Sequence, residues 1–392
     1  MKKLISVLIL AILCTVISTV ALADVERYTM LDDGTVRIDK MNVYHSQYSD
    51  NNFSIPSEID GCTVSQIAEG AIDFDDVNDA GWLGNIVFPN SITNLSGDPF
   101  GYMVRDDIGE IVVSPSHPYL ATIDGSLYSK PDKRIIHAEQ SSYSFSNKAR
   151  IEIPDGIKTI GAGSFGSFSN LVSISMPDTV EKIEHSAFSY CDDLNTIIFS
   201  KNLKEIGVDA FSGCFGLKSI SLPDSLQIIG ARAFSHCSKL EQLQIPDSVT
   251  YIGEKAFHAT KIAAIHIPKN VSEIAGPLGV QSITIDDENA FYKIENNLLL
   301  TNSGDEVIDV ATPAERIEIP SGVKAIREGA FENYSDINEI VIPASVEEIE
   351  GYFNGTPVLI VEPDSFAEKY ALDRGLAYSY IGETATNDWL ND

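Results

Sequence analysis

The chain has 392 residues, 44% of them apolar, and a mean hydropathy of +0.01, so it can bury a large core and is too polar for an integral membrane bundle. Lys and Arg number 27 against 57 Asp and Glu, a net charge of −30 that argues against nucleic acid or an anionic membrane as a partner. Five cysteines are too few for a disulfide scaffold in a chain this long.

Met1-Lys2-Lys3 is a short basic start, Leu4 to Leu13 is apolar apart from Ser6, and Ala21-Leu22-Ala23 is a small-x-small site before Asp24. That layout predicts a secretory signal peptide over 1–23, cleaved after Ala23. Cys14 follows Leu13, where a lipidated cysteine wants a small residue. A secreted or cell-surface chain with no membrane insertion is therefore expected. Residues 24–54 read as an N-terminal β cap opened by a hairpin from Tyr28 to Ile38. An acidic loop from Asp73 to Asp79 follows; it lacks the layout of a calcium-binding loop, with Val77 fifth and no glycine sixth, and reads as solvated.

The stretch 55–361 is periodic. Ile153-Pro154, Met176-Pro177, Phe199-Ser200, Leu222-Pro223 and Ile245-Pro246 recur every 23 residues. Each row then places an aliphatic pair (Ile157/Ile160, Val180/Ile183, Leu203/Ile206, Leu226/Ile229, Val249/Ile252), a frequent Gly, and a small residue before Phe165, Phe188, Phe211, Phe234 or Phe257. Leu-x-x-Ile-x-Ile closes the row. One such row cannot bury its own apolar face, whereas stacked rows share a continuous core, so a mainly β solenoid with parallel stacked strands is expected. The Ala-Phe stretch is too short for a long helix and should form a helical or 3₁₀ turn. Two rows lengthen, near 113–150 and 285–316. Asp124-Gly125 and Asn296-Asn297 lie there between apolar runs, which is hairpin chemistry. Gly276-Pro277-Leu278-Gly279 replaces the usual Ala-Phe turn just before the second. A helix from Ser365 and a last strand over Leu376–Tyr380 should form an α/β cap at 362–381, ahead of a loose acidic tail at 382–392.

Ile229-Gly230-Ala231-Arg232-Ala233-Phe234-Ser235-His236-Cys237 and its counterparts in the neighbouring rows resemble the BspA-type leucine-rich repeat of bacterial surface and secreted proteins. Ile55-Pro56 to Ile67 is similar to that family's first repeat. The resemblance covers about Tyr28 to Tyr380. It implies a leucine-rich repeat solenoid and, for members given a role, adhesion and host-protein binding.

No catalytic set, cofactor or metal site is expected. Gly161-Ala162-Gly163-Ser164-Phe165-Gly166 matches a dinucleotide fingerprint in letters only, because its glycines belong to repeat columns. Cys191, Cys214 and Cys237 share one column and read as buried structural thiols rather than zinc ligands, although His236 and His258 lie close in the pattern. The remaining feature is the strand face, where Asn195, Thr196, Lys218, Ser219, Glu241, Gln242, Gln244 and His266 should point outward. The expected function is an adhesin-like, protein-binding module that takes an extracellular protein or glycan on this face; the alternative is a carbohydrate-associated structural component of an envelope or secreted complex. If the signal reading holds, N-terminal sequencing of exported protein starts at Asp24. A mature form that retains Met1, or one acylated on Cys14, rejects it.

Overall fold

The computed structural model describes residues 23–43, 53–73, 85–100, 110–138 and 149–382; the expected signal sequence up to Leu22, the acidic loop beyond Asp73 and the tail beyond Gly382 lie outside them. The chain divides into two compact units, Met1–Ser200 and Lys201–Asp392. Each is a solenoid of short parallel strands, and each carries one three-stranded antiparallel insertion.

In the first unit, Arg134–His137, Thr159–Ile160 and Lys182–Ile183 form one parallel ladder, with Ile135 opposite Ile160 and Ile160 opposite Ile183. On the other side of the coil, Ala149–Glu152, Leu171–Ser175 and Thr196–Ile198 align Ile151, Ile174 and Ile197. The second unit repeats the first pattern through Glu205–Ile206, Ile228–Ile229, Tyr251–Ile252 and Glu273–Ile274. Its other side holds Ile265–Ile267 with Ile283–Ile285, then Arg316–Glu318, Glu339–Ile342, Val358–Val361 and Tyr378–Tyr380. Register follows the repeat because a slip of one residue would turn every buried aliphatic outward.

The turn around each Phe has a more particular construction. In the first unit, Ser164, Gly166 and Phe168 donate their amides three residues back, to Gly161, Gly163 and Phe165. The intervening amides, of Gly163, Phe165 and Ser167, donate instead to His185, Ala187 and Ser189 of the next coil, at 2.7–3.0 Å. Asp209 to Cys214 and Arg232 to Cys237 repeat this alternation in the second unit. The expected short turn is present, but it does not run on as a 3₁₀ helix because every second amide leaves the coil. The reversals put Gly163 and Ser167 at φ +65° and +58°, and Arg232 and His236 at +53° and +58°. Left-handed backbone is unfavourable for side chains other than glycine, so the bonds between coils must outweigh it.

Phe165 and Phe188 stack at 4.9 Å in the first unit; Phe211, Phe234 and Phe257 stack at 5.4 and 6.1 Å in the second, with interplanar angles of 2° and 4°. All five are fully buried. The residue before Phe is small because it is also fully buried, as Ala187, Ala210, Ala233 and Ala256 show. Gly161 is required by close approach, since a Cβ there would lie 2.2 Å from the Ile135 carbonyl. The short Gly276–Gly279 turn keeps the hydrogen-bond pattern: Phe257 donates to Leu278 O at 3.1 Å, so Leu278 takes the place of the small residue before Phe, and it too is fully buried.

Both insertions are hairpins, Leu120–Ile123 with Ser126–Ser129 and Tyr292–Glu295 with Leu298–Thr301. Asp124-Gly125 and Asn296-Asn297 all have positive φ, which is the two-residue turn that matches strand twist. A third strand, Arg134–His137 or Glu306–Val310, returns each chain to a parallel ladder. Two buried side chains that the sequence reading did not single out fix where the insertions begin. His117 accepts at Nδ1 from the Tyr119 and Leu120 amides, so its Nε2 donates to Pro89 O at 3.0 Å. Asn289 does the same work, accepting from the Phe291 and Tyr292 amides and donating to Pro268 O and Val271 O. An arginine then reaches back to a carbonyl on the coil before each insertion. Arg134 meets Leu95 O while paired with Glu184, and Arg327 meets Ile274 O at 2.7 Å while paired with Glu306.

The helix Phe366–Arg374 begins at Ser365, whose side chain accepts the Glu368 amide, and ends at Gly375 with φ +65°. Tyr378–Tyr380 then pairs with Val358–Val361, giving the expected helix-and-strand cap. Substituting Phe234 by Ala, measured by denaturant unfolding, should cost on the order of 3–5 kcal/mol because the cavity would touch rings on both sides. A loss below about 1 kcal/mol, the range of ordinary surface changes, would reject the aromatic column as the main packing element.

Candidate binding face

All eight side chains expected on the strand face are exposed. In the first unit, Asn195 and Thr196 sit at the start of Thr196–Ile198, with Asn195 Nδ2 donating to Asp193 O and the Thr196 hydroxyl to Asn195 Oδ1 at 2.8 Å. Ile198 points out beside them and is 58% exposed. In the second unit the Glu241 amide donates to Lys218 O at 3.0 Å, and Ser219 bridges Gln242 in parallel. Lys218 and Ser219 therefore lie beside Glu241 and Gln242, from sequence positions a full repeat apart. Gln244 is exposed further along the same row. His266 lies opposite Thr284, with Nδ1 to Oγ1 at 3.0 Å, so Thr284 belongs to the face although the lengthened row hid its column.

One expectation needs correction. Leu-x-x-Ile-x-Ile was expected to be a strand in every row, yet rows 217–222 and 240–245 keep only the Ser219–Gln242 bridge. Their outward positions are Lys218, Ser219, Ser221, Glu241, Gln242 and Gln244, none of them good strand formers, and Ile220 is only half-buried. Ile265–Ile267 has β-branched residues at both inward positions and is a regular strand.

The histidines have separate surroundings. His185 pairs with Glu69 at 3.0 Å, His236 meets His258 edge-to-face at 5.6 Å, and His266 bonds Thr284. Burial, then the neighbouring His236, holds the His258 pKa below its ordinary value. Among the described residues no group of three or more His, Cys, Asp or Glu could hold a metal ion.

The cysteine column has a role that composition did not reveal. Cys191 Sγ donates to Phe165 O and Cys237 Sγ to Phe211 O, each at 3.1 Å and each to the preceding coil. Thr260, in the same column, gives its hydroxyl to Phe257 O at 2.8 Å. A column donor thus caps a buried carbonyl. Burial pushes the Cys237 thiol up to about 12, against the lowering effect of a hydrogen bond with the Cys214 backbone.

These parts define a class: a leucine-rich repeat solenoid with a polar, exposed strand face. The chain belongs to the BspA-type leucine-rich repeat family, whose model matches residues 134–217, 158–277 and 287–358 in six copies. Among solved structures it is similar to the pneumococcal vaccine antigen PcpA, at 20% identity over 59% of this chain and 64% of that one, just under two thirds of its length, with a TM-score of 0.49. A leucine-rich cell surface protein from Faecalibacterium prausnitzii is 24% identical over 64% of this chain and 77% of its own, with a TM-score of 0.45. A leucine-rich repeat protein from Bacteroides ovatus is 20% identical over 91% of this chain and 98% of its own, with a TM-score of 0.42. No curated protein matches the sequence.

The thiol geometry is testable. At about pH 8, a thiol-disulfide reagent should leave Cys237 unmodified in the folded protein and label it only in denaturant, because the thiolate is the reactive form. Labelling of native protein at the rate of an exposed thiol would contradict the buried, donating Sγ–H.

Proposed function

We propose that this chain is an exported binding protein, secreted or held at the cell surface, that recognises an extracellular protein through the strand face of its solenoid, in the manner of an adhesin. The observation that carries this reading is the exposure of the outward columns within each unit, Asn195 and Thr196 in the first and Lys218, Ser219, Glu241, Gln242, Gln244 and His266 in the second, while the columns behind them are spent on the core. Extended faces of repeat proteins commonly serve as binding surfaces. Membership of the BspA-type family points the same way, and so does the basic start, apolar run and Ala-x-Ala of residues 1–23. Among the described residues no helix is long and apolar enough to cross a membrane.

The face mixes amides, hydroxyls and few charges, which suits a partner read by hydrogen bonds and shape rather than by electrostatic steering. The test starts by measuring binding of purified protein to extracellular matrix proteins and glycans. Changing Asn195→Ala, Lys218→Glu, Glu241→Lys and Gln242→Ala together should weaken the ligand found at least about tenfold, the scale of one lost hot-spot contact. Stability should change little, each exposed substitution staying within about 0.5 kcal/mol. Alanines in the Asp73–Asp79 loop serve as the control. Loss of binding in the loop variant with full binding in the face variant would overturn the proposal.

A further inference from the structure

Glu306–Val310 closes the second insertion and carries Asp309 with no solvent exposure at all. Oδ2 of Asp309 accepts the Leu278 amide at 2.8 Å, and Oδ1 accepts the Val310 amide at 2.8 Å. The hydroxyl of buried Tyr334 lies 3.0 Å from the same Oδ1, 2.8 Å from Val310 O and 3.2 Å from Val280 O. A phenol has one proton to donate, and here it faces three acceptors. The cage is better satisfied when Asp309 itself is protonated: the acid O–H donates to the Tyr334 oxygen, and Tyr334 passes its own proton on to Val310 O. With the carboxylate ionised, Tyr334 must turn to Asp309, and both carbonyls lose that donor.

Among the described residues no positive charge offsets an ionised Asp309; only hydrogen bonds do so in part. The Gly276–Val280 turn and the paired strand Leu298–Thr301 contain no titratable side chain. Among the described residues of the next coil, Tyr334 reaches Asp309. Arg327 is held by Glu306 at 2.7 Å, and Lys255 by Glu332 at 2.7 Å. We propose that Asp309, Tyr334 and the Gly276–Gly279 turn form a proton-dependent latch, tightest in acid and loosened as pH rises, that sets how firmly the second insertion is held to the coil before it.

Burial raises the Asp309 pKa to about 7, outweighing the pull of its hydrogen bonds in the opposite direction. A folded-state pKa raised above the ordinary carboxylate value gives stability that is complete below that value and lost as pH rises through the folded pKa. Opening frees the carboxyl to ionise in water. The opening constant of the turn should therefore climb by up to about tenfold per pH unit between roughly pH 4 and 7, then level off.

Hydrogen exchange of a peptide covering residues 276–281 in the full chain reads this directly, after correction for the intrinsic pH dependence of exchange. Wild-type protection should fall across that range, while Asp309→Asn should give a flat profile. A flat wild-type profile, or an Asp309→Asn profile that parallels wild type, overturns the latch. If Asp309→Asn does not fold, infrared difference spectra of the wild type decide. A protonated-carboxyl band that survives at about pH 5 and disappears by about pH 9 supports the proposal, and a spectrum without such a band rejects it.

Discussion

The structure depends on how buried turn amides find partners. In the turns around Phe165, Phe211 and Phe234 the chain reverses direction twice within six residues against the buried rings, and successive N–H groups are bonded to protein. Only alternate amides can close a turn on themselves. The others point along the stacking axis and are satisfied by the carbonyls of the next coil. A coil is thus completed by its neighbour, in hydrogen bonding as well as in packing, which is why the repeat cannot be read as a self-sufficient unit.

The side-chain columns follow from that arrangement. Ala precedes Phe because the ladder draws successive turns together over a fully buried position. A glycine such as Gly253 is required where a Cβ would fall 2.1 Å from the Ala231 amide nitrogen. The cysteines sit where a short side chain can reach a Phe carbonyl of the preceding coil, so they are donors as much as fillers. Where the ladder is interrupted by an insertion, other groups take over the free carbonyls. An arginine does so at Leu95 and at Ile274, and His117 and Asn289 anchor the two chains as they leave the coil. The residue types differ because a carbonyl asks only for a donor in the right place.

The strand face proposed for binding is the part of the coil released from these demands. The outward side chains of each unit contribute little to the core, and the two rows with the weakest strand formers pair least regularly there. A surface free of packing constraints can vary without loss of the fold, which suits a recognition role.

The sequence by itself determined the repeat, the register, the buried columns, both hairpins with their two-residue turns, the terminal cap and the eight outward residues. It could do so because period and apolar spacing are local signals that recur row after row. The tertiary structure alone decided the alternating amides, the thiol-to-carbonyl bonds, the place of Thr284, and the Asp309–Tyr334 pair. Each of these rests on contacts between residues about 20 or more positions apart, and the letters at those positions do not state which atom will face which. Asp309 shows the limit most clearly: in the sequence it is one acid among 57, and only its enclosure by Leu278, Val310 and Tyr334 makes its proton matter.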